Sequence, residues 1–345
     1  MRHAVAPGRV NLIGDHTDYQ DGWCLPMAID RAVDVAFTPR TDGRVRARSD
    51  DLEGTVDLAA DGSAAITAVR PEWGRAVAAA LTLLAEAGRA PLGADLHVRS
   101  TVPVGSGLSS SAAFGVAVTM ALADVGALTV TGADLARLAQ TVEHRASGVP
   151  CGIMDQLASV AGRADHALLL DCRSLAVTPV AIPPEAVFVV VHSGEPRRLV
   201  DSVYAARRRA CEEAAAALGV ATLRDAPFSA VADLPFARHV VSENLRTLAF
   251  ADALRDGDLD SCGALMLESH GSLRDDFGVS TTRLDELVVA LMGAGAFGAR
   301  LTGAGFGGCA VALFDPVRAP IAAERFGGFV VRAAAGARIV TEEAT

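Results

Sequence analysis

The stretch Val102-Pro103-Val104-Gly105-Ser106-Gly107-Leu108-Ser109-Ser110-Ser111-Ala112 follows a run of strand character, Leu96–Val102, and opens a small-residue apolar run from Ser109 to about Gly126. Strand, glycine-rich turn and helix in that order have a physical consequence. The first N–H groups of a helix lack an intrahelical partner and sit at the positive end of its dipole, so that end attracts anions. Gly105 and Gly107 let backbone approach a ligand closely, and Ser109, Ser110 and Ser111 add hydroxyls at the same place. A single serine cap after a glycine turn would serve any helix. Two glycines and three consecutive serines before a helix that is apolar all round describe instead a seat for a di- or triphosphate, built from Gly105, Ser106, Gly107, Leu108 and the three serines.

Composition limits how such a phosphate can be held. The 345 residues include no lysine, so all 31 basic residues are arginine. A Walker A loop, a protein-kinase ATP site and a pyridoxal-phosphate Schiff base each need a lysine, and all three are excluded. Backbone N–H groups, hydroxyls, arginine and metal remain. The net charge is −10 and the longest basic run is Arg207-Arg208-Arg209, which argues against a nucleic-acid partner. Six scattered cysteines with no CxxC spacing are expected to be buried, reduced thiols. The longest uncharged apolar runs, such as Ala112–Ala123, reach about a dozen residues, short of the ~20 a membrane helix needs. The N-terminus enters Ala6-Pro7-Gly8 without an apolar signal region. A cytoplasmic protein with no membrane partner is expected.

Periodicity and stop signals predict helices over Trp73–Gly88, Ser109–Gly126, Thr131–Ser147 (with Thr131 as N-cap and Gly148 as stop), a short one from near Ile153, and Tyr204–Leu218, Val240–Arg255 and Ser280–Met292. Strands are predicted at Val33–Thr38, Val45–Arg48, Leu96–Val102, Ala167–Asp171, Val187–His192 and Cys309–Phe314. The whole reads as a two-domain α+β chain, divided near Pro183-Pro184 into 1–184 and 185–345.

Two further segments are dense in glycine or polar residues. Gly303-Ala304-Gly305-Phe306-Gly307-Gly308 matches GxGxxG in form, but a strand follows it rather than a helix, so no dipole would face a pyrophosphate and the dinucleotide reading is rejected. Close approach to another loop or to a ligand is expected there. Between Ala6 and Tyr19, the polar residues Arg9, Asn11, Asp15, His16, Asp18 and Tyr19 sit in an apolar frame of Val10, Leu12 and Ile13. Carboxylates grip vicinal sugar hydroxyls with short charge-assisted bonds, and this density suits a polyol.

Taken together, PGRVNLIGDHTDY at 7–19, PVGSGLSSSAA at 103–113, CGIMDQ at 151–156 and LTGAGFGGCA at 301–310 resemble the galactokinase branch of the GHMP sugar and metabolite kinases. The resemblance implies a two-domain fold: an N-terminal α/β domain of the ribosomal-protein-S5-domain-2-like type and a C-terminal ferredoxin-like domain. It implies phosphorylation of the anomeric hydroxyl of galactose or a galactose-like hexose by ATP with Mg²⁺; a monomer is expected. Arg9 and Asp155 would be the catalytic pair, with Asp155 orienting or deprotonating the anomeric hydroxyl. Asp15, His16, Asp18, Gly152 and Tyr204 would contact the sugar, Glu143 and Ser111 would hold the magnesium, and Trp73 would stack on adenine. The location of Asp155 near a helix start, where a carboxylate is favoured, agrees with that role.

Three features depart from the usual galactokinase pattern. Asp15 stands where Glu is usual and reaches one methylene less, His192–Leu199 differs from its serine- and histidine-bearing form, and the chain begins a few residues before the first motif. They bear on the substrate more than on the reaction class. Alternatives are a related kinase acting on another sugar or small alcohol, and a non-catalytic galactokinase-like sensor.

Overall fold

The computed structural model describes residues 1–103, 106–195 and 200–341. Its first half runs β1 (Arg2–Ile13), β2 (Trp23–Arg40), β3 (Arg44–Ser49), β4 (Thr55–Ala59), α1 (Gly74–Glu86), β5 (Gly93–Ser100), α2 (Ser110–Val125), α3 (Gly132–Ser147), α4 (Met154–Ala161), β6 (His166–Asp171) and β7 (Ala176–Ala181). The second continues with β8 (Val187–His192), α5 (Val200–Leu218), α6 (Pro235–Asp256), α7 (Leu259–Asp275), α8 (Thr282–Gly293), β9 (Gly298–Thr302), β10 (Cys309–Phe314), α9 (Arg318–Arg325), β11 (Phe329–Val331) and β12 (Arg338–Thr341). Two sheets result, in agreement with the α+β expectation.

The first sheet has the order β12-β1-β2-β5-β3-β4, with β6 pairing β2 and β7. One face carries Val33, Val35, Phe37, Val45 and Leu96 against Val77, Leu81 and Leu84 of α1, Val116 and Ala117 of α2, and Leu135 and Val142 of α3. That burial is why α2 is apolar on every side: eleven of its sixteen residues are buried. Its last strand, β12, comes from the far end of the chain and pairs antiparallel with β1 at Arg2–Val5.

The second sheet is the antiparallel set β11-β8-β10-β9. Side chains alternate across it. Val189, Val191, Ala310, Ala312 and Phe314 pack on α8 and α9, whereas Phe188, Val190, Val311 and Leu313 pack on α6, α7 and the Val10–Ile13 end of β1. Both faces are buried, so β8 and β10 read as unbroken apolar runs. The core of the second face spans both sheets and fixes β1 against the C-terminal half.

Two local expectations change. Residues 2–13, read for their polar and glycine content, form the longest strand but one, with register shifts against β2 at Pro7/Arg9 and Asn11/Ile13. Proline's missing donor and fixed φ suit such a break in the ladder. Thr131 does occupy the N-cap position of α3, but its side chain makes no capping bond.

Candidate active site

β1 carries the buried Arg9 to the edge of a cavity, and two contacts hold it beside α2 and α4. The Arg9 N–H donates to Leu108 O at 3.1 Å, and Ser159 of α4 donates its Oγ to Pro7 O at 2.7 Å. The Arg9 side chain is 5 % exposed and donates from Nε (2.8 Å) and Nη2 (2.7 Å) to Asp155 Oδ1. Its Nη1 donates to Gly107 O at 2.7 Å. Asp155 lies in the first turn of α4, and its second oxygen accepts from Ser109 Oγ at 2.5 Å. Thus one arginine joins the glycine-rich turn to the helix carboxylate, which lies 146 positions along the chain from the arginine itself.

Ser109 sits at the N-cap position of α2 with φ 60°, and its side chain does not cap the helix. A non-glycine residue in this left-handed region costs of order 1–3 kcal/mol and marks a place over-determined by its surroundings. Here the hydroxyl is turned onto Asp155 instead of the helix end. Ser111 Oγ donates to Glu143 Oε1 at 2.8 Å, and Gln156 Nε2 donates to Glu143 Oε2 at 2.6 Å. Burial pushes the Glu143 carboxyl up, with the Asp155 charge adding to it and the Ser111 and Gln156 bonds opposing it.

On the other side of Asp155 lies the 14–19 turn. Asp18 Oδ2 accepts a 3.4 Å bond from Met154 N. A Cβ on Gly152 would lie 1.7 Å from that oxygen, so any side chain there would displace the Asp18 carboxylate. Burial, then the neighbouring Asp155 charge, raises the Asp18 carboxyl to about 6. His16, with φ 64°, has Nε2 3.3 Å from Ala304 O and Nδ1 3.0 Å from Tyr19 OH. A carbonyl can only accept, so Nε2 carries the proton and Nδ1 accepts from the tyrosine. Burial lowers His16 to about 3, with His239 next in effect, so the ring is neutral. Tyr204 of α5 lies 5.7 Å from the His16 ring and 5.6 Å from Tyr19. Its phenol is raised well above its ordinary value by burial and by Asp18, and therefore stays protonated.

A cavity of about 380 Å³ opens here, lined by Arg9, Asp15, His16, Asp18, Gly107, Ser109, Ser110, Ser111, Glu143, Cys151, Gly152, Asp155, Tyr204, Gly303 and Ala304 among others. A second cavity of about 480 Å³ opens beside it and shares Ser110, Ser111, Glu143 and Ser147. It is bounded by Leu52, Glu72, Trp73, Arg75 and Phe114. Trp73 is fixed by Nε1 donating to Glu53 O at 3.0 Å and by an edge contact with Phe114 at 6.2 Å.

Arg9, Asp15, His16, Asp18, Gly107, Ser109, Ser110, Ser111, Glu143, Gly152, Asp155 and Tyr204 therefore meet around one cavity, with Trp73 in the adjoining one. Ser106 and Leu108 are buried in the same turn. Gly105 lies outside the described residues. The glycines at 303–308 form a strand–loop–strand between β9 and β10, as expected, and their closeness is partly to another loop: a Cβ on Gly305, at φ 75°, would lie 2.4 Å from Val279 O. Sequence reasoning missed Gln156, Glu243 and Arg300. Arg300 carried one usable signal, a charge in the centre of the strand Gly298–Thr302, whose residues are all buried.

Family models match at three places: the galactokinase galactose-binding signature at residues 2–39, the GHMP kinase N-terminal domain at 75–163 and the GHMP kinase C-terminal domain at 250–331. A galactokinase of Roseiflexus sp. (strain RS-1) is 47 % identical over 90 % of this chain and 82 % of its own. One of Chloroflexus aurantiacus is 48 % identical over 96 % and 88 %. The chain belongs to the galactokinase family of the GHMP kinases. Its backbone superposes on Lactococcus lactis galactokinase complexed with galactose with a TM-score of 0.89, at 31 % identity, covering 98 % of this chain and 94 % of that one. A Methanococcus jannaschii mevalonate kinase shares the fold at TM-score 0.72 and 18 % identity, over 96 % of this chain and 98 % of that one. GHMP kinases are phosphotransferases with an alcohol acceptor, so ATP is implied as a substrate. Among the described residues no helix is long and apolar enough to cross a membrane.

Proposed function

We propose that the protein transfers the γ-phosphoryl group of ATP to the anomeric hydroxyl of galactose or a galactose-like hexose. The observation that carries this reading is the Arg9–Asp155–Ser109 constellation in a carboxylate-lined cavity that shares Ser110, Ser111 and Glu143 with a second cavity beside it.

Phosphoryl transfer passes through a loose transition state, so positioning and charge neutralisation supply most of the catalysis. Asp155 is the group that orients the attacking hydroxyl. Its Oδ1 is held by the Arg9 guanidinium, leaving Oδ2, now bonded to Ser109, as the acceptor that a sugar hydroxyl can share or take over. Ser109 is then free to turn toward a phosphate oxygen. Arg9 reaches both Asp155 and the glycine-rich turn, so it neutralises the carboxylate and the migrating phosphoryl group together. The turn Ser106–Ser111 takes the polyphosphate on N–H groups and hydroxyls, and the base lies against Trp73. At the sugar end Asp18 accepts from hydroxyls, Tyr204 presents a protonated phenol, and Gly152 leaves the room that the Asp18 carboxylate occupies; Asp15 and His16 line the same cavity.

The hydroxyl of Ser111 and the carboxylate of Glu143, 2.8 Å apart at the junction of the cavities, fit magnesium. That ion takes one or two protein oxygens and completes its shell with water and phosphate. Bound there it would neutralise phosphate charge. Gln156 keeps Glu143 Oε2 turned into place. We further propose a cytoplasmic monomer without nucleic-acid or membrane partners; the net charge of −10 and a longest basic run of three arginines support the nucleic-acid part of this reading. The proposed domain division at 184/185 is supported by the second sheet starting at Val187; β12 crosses that division by adding to the first sheet.

The test is product identity. With Mg²⁺ and ATP, galactose is expected to give a sugar 1-phosphate resonance by phosphorus NMR, at a higher kcat/KM than mevalonate or glucuronate. Phosphate appearing on another hydroxyl, or faster turnover of a non-sugar alcohol, would overturn the assignment.

A further inference from the structure

The carboxylates at the sugar end of the cavity differ in how far the protein already occupies them. Asp18 Oδ2 takes a single long bond, from Met154 N at 3.4 Å. Asp15 has both oxygens taken: Arg300 Nη2 donates to Oδ2 at 2.5 Å and Gly303 N donates to Oδ1 at 3.1 Å. The Asp15 and Arg300 side chains are 2 % and 0 % exposed. A carboxylate oxygen has spare lone pairs, but with both oxygens already engaged and 2 % of its side chain exposed, Asp15 offers a hydroxyl far less than Asp18 does.

Arg300 is itself held in one place. Its Nη1 donates to Leu12 O at 3.1 Å and Asn11 O at 3.4 Å. Thr302, two residues on, donates to Asn11 O at 2.9 Å and accepts from Asn11 N at 3.2 Å. Asp15 O is 3.1 Å from His239 Nε2, and Glu243 Oε1 lies 3.8 Å from Arg300 Nη2. The end of β1, the sugar-facing turn and β9 with its glycine-rich loop are thus joined through one buried ion pair whose members are 285 residues apart in sequence.

We propose that Asp15 and Arg300 are a positioning clamp that seats the 14–18 turn on the 303–308 loop, and that Asp15 does not itself bind the sugar's exocyclic hydroxymethyl group. Recognition of the hydroxyls then falls to Asp18, with Tyr204 and backbone. The proposal rests on the kinase reading above. It has a chemical consequence: Asp15 contributes equally to the binding of galactose and of L-arabinose, which is galactose without its hydroxymethyl group.

The experiment compares wild type, Asp15→Asn and Arg300→Lys for steady-state turnover of both sugars. Each variant is expected to raise KM for galactose and for L-arabinose by the same factor, about tenfold or more. The KM for ATP is expected to stay within about twofold, because the disturbance is confined to the sugar turn; a tenfold change corresponds to about 1.4 kcal/mol. Loss on galactose with L-arabinose unchanged in Asp15→Asn would establish a direct hydroxymethyl contact and overturn the clamp. So would a galactose KM unaltered by Arg300→Lys. Should wild type phosphorylate neither sugar, the kinase reading fails on its own, and thermal unfolding of Asp15→Asn, Arg300→Met and the double variant still decides the clamp. A double variant that loses less melting temperature than the sum of the single losses supports the pair; additive losses overturn it.

Discussion

Asp18 shows what the proposed sugar-binding role of a single residue costs in stability. Burial and the Asp155 charge raise its carboxyl to about 6 from an ordinary 3.8. Between those values the folded chain binds more protons than the unfolded one, so this group's contribution to stability falls as pH rises through the window. That is opposite to the usual carboxylate. Asp18→Asn is therefore expected to melt at a higher temperature than wild type at pH 7.5, with the difference shrinking toward pH 4. The same protonation removes a charged acceptor from the sugar end. The galactose KM of wild type is expected to climb by up to about tenfold per pH unit below pH 6, where Asp18 begins to be neutral. Measuring KM for sugar and ATP from pH 5 to 8 checks this; a flat sugar KM across that range would remove Asp18 from recognition.

Among the secondary-structure elements, α6 ties the sugar turn to the C-terminal half. Its Glu243 is wholly buried, accepts from Gly14 N at 3.0 Å and Ser269 Oγ at 2.6 Å, and pairs with Arg246 at 2.8 Å. Burial works against its charge, yet Arg246, His239, Arg300 and Ser269 outweigh it and hold the carboxyl down to about 2. Its contribution is present above the ordinary 4.5 and is lost as pH falls toward 2. Removing one partner of a buried ion pair costs about 3–5 kcal/mol. Glu243→Gln is expected to lose about that much in denaturant unfolding at pH 7, and less at pH 3. An unchanged unfolding midpoint would show that α6 does not hold the turn. This network was invisible in the sequence. Glu243 stands in an ordinary helical pattern, and nothing local marks it as facing Gly14, 229 residues away.

For the whole molecule, what could be read in advance divides along the same line. The Gly/Ser turn and α2 follow from local composition, and β8 and β10 from their apolar runs. The length of β1 did not, because Pro7, Gly8 and Gly14 look like loop residues until β2, β12 and the shared core cover them. Arg9, Asp155, Ser111 and Glu143 were singled out by motif, yet their meeting depends on α2, α3, α4 and β1 packing on one another. The Ser109–Asp155 bond and the Gln156–Glu143 bond are products of that packing. Together these elements put two cavities on either side of the same serines, one lined by Asp15, Asp18 and Asp155 and the other by Trp73 and Phe114, the layout the proposed two-substrate transfer requires. The most direct test of that layout is Asp155→Asn, with galactose and ATP binding measured by calorimetry and transfer by single-turnover ADP release. The account predicts both ligands bound within about threefold of wild type and transfer slowed by about 10²–10⁴-fold. Transfer at the wild-type rate by a variant that binds both ligands would contradict it.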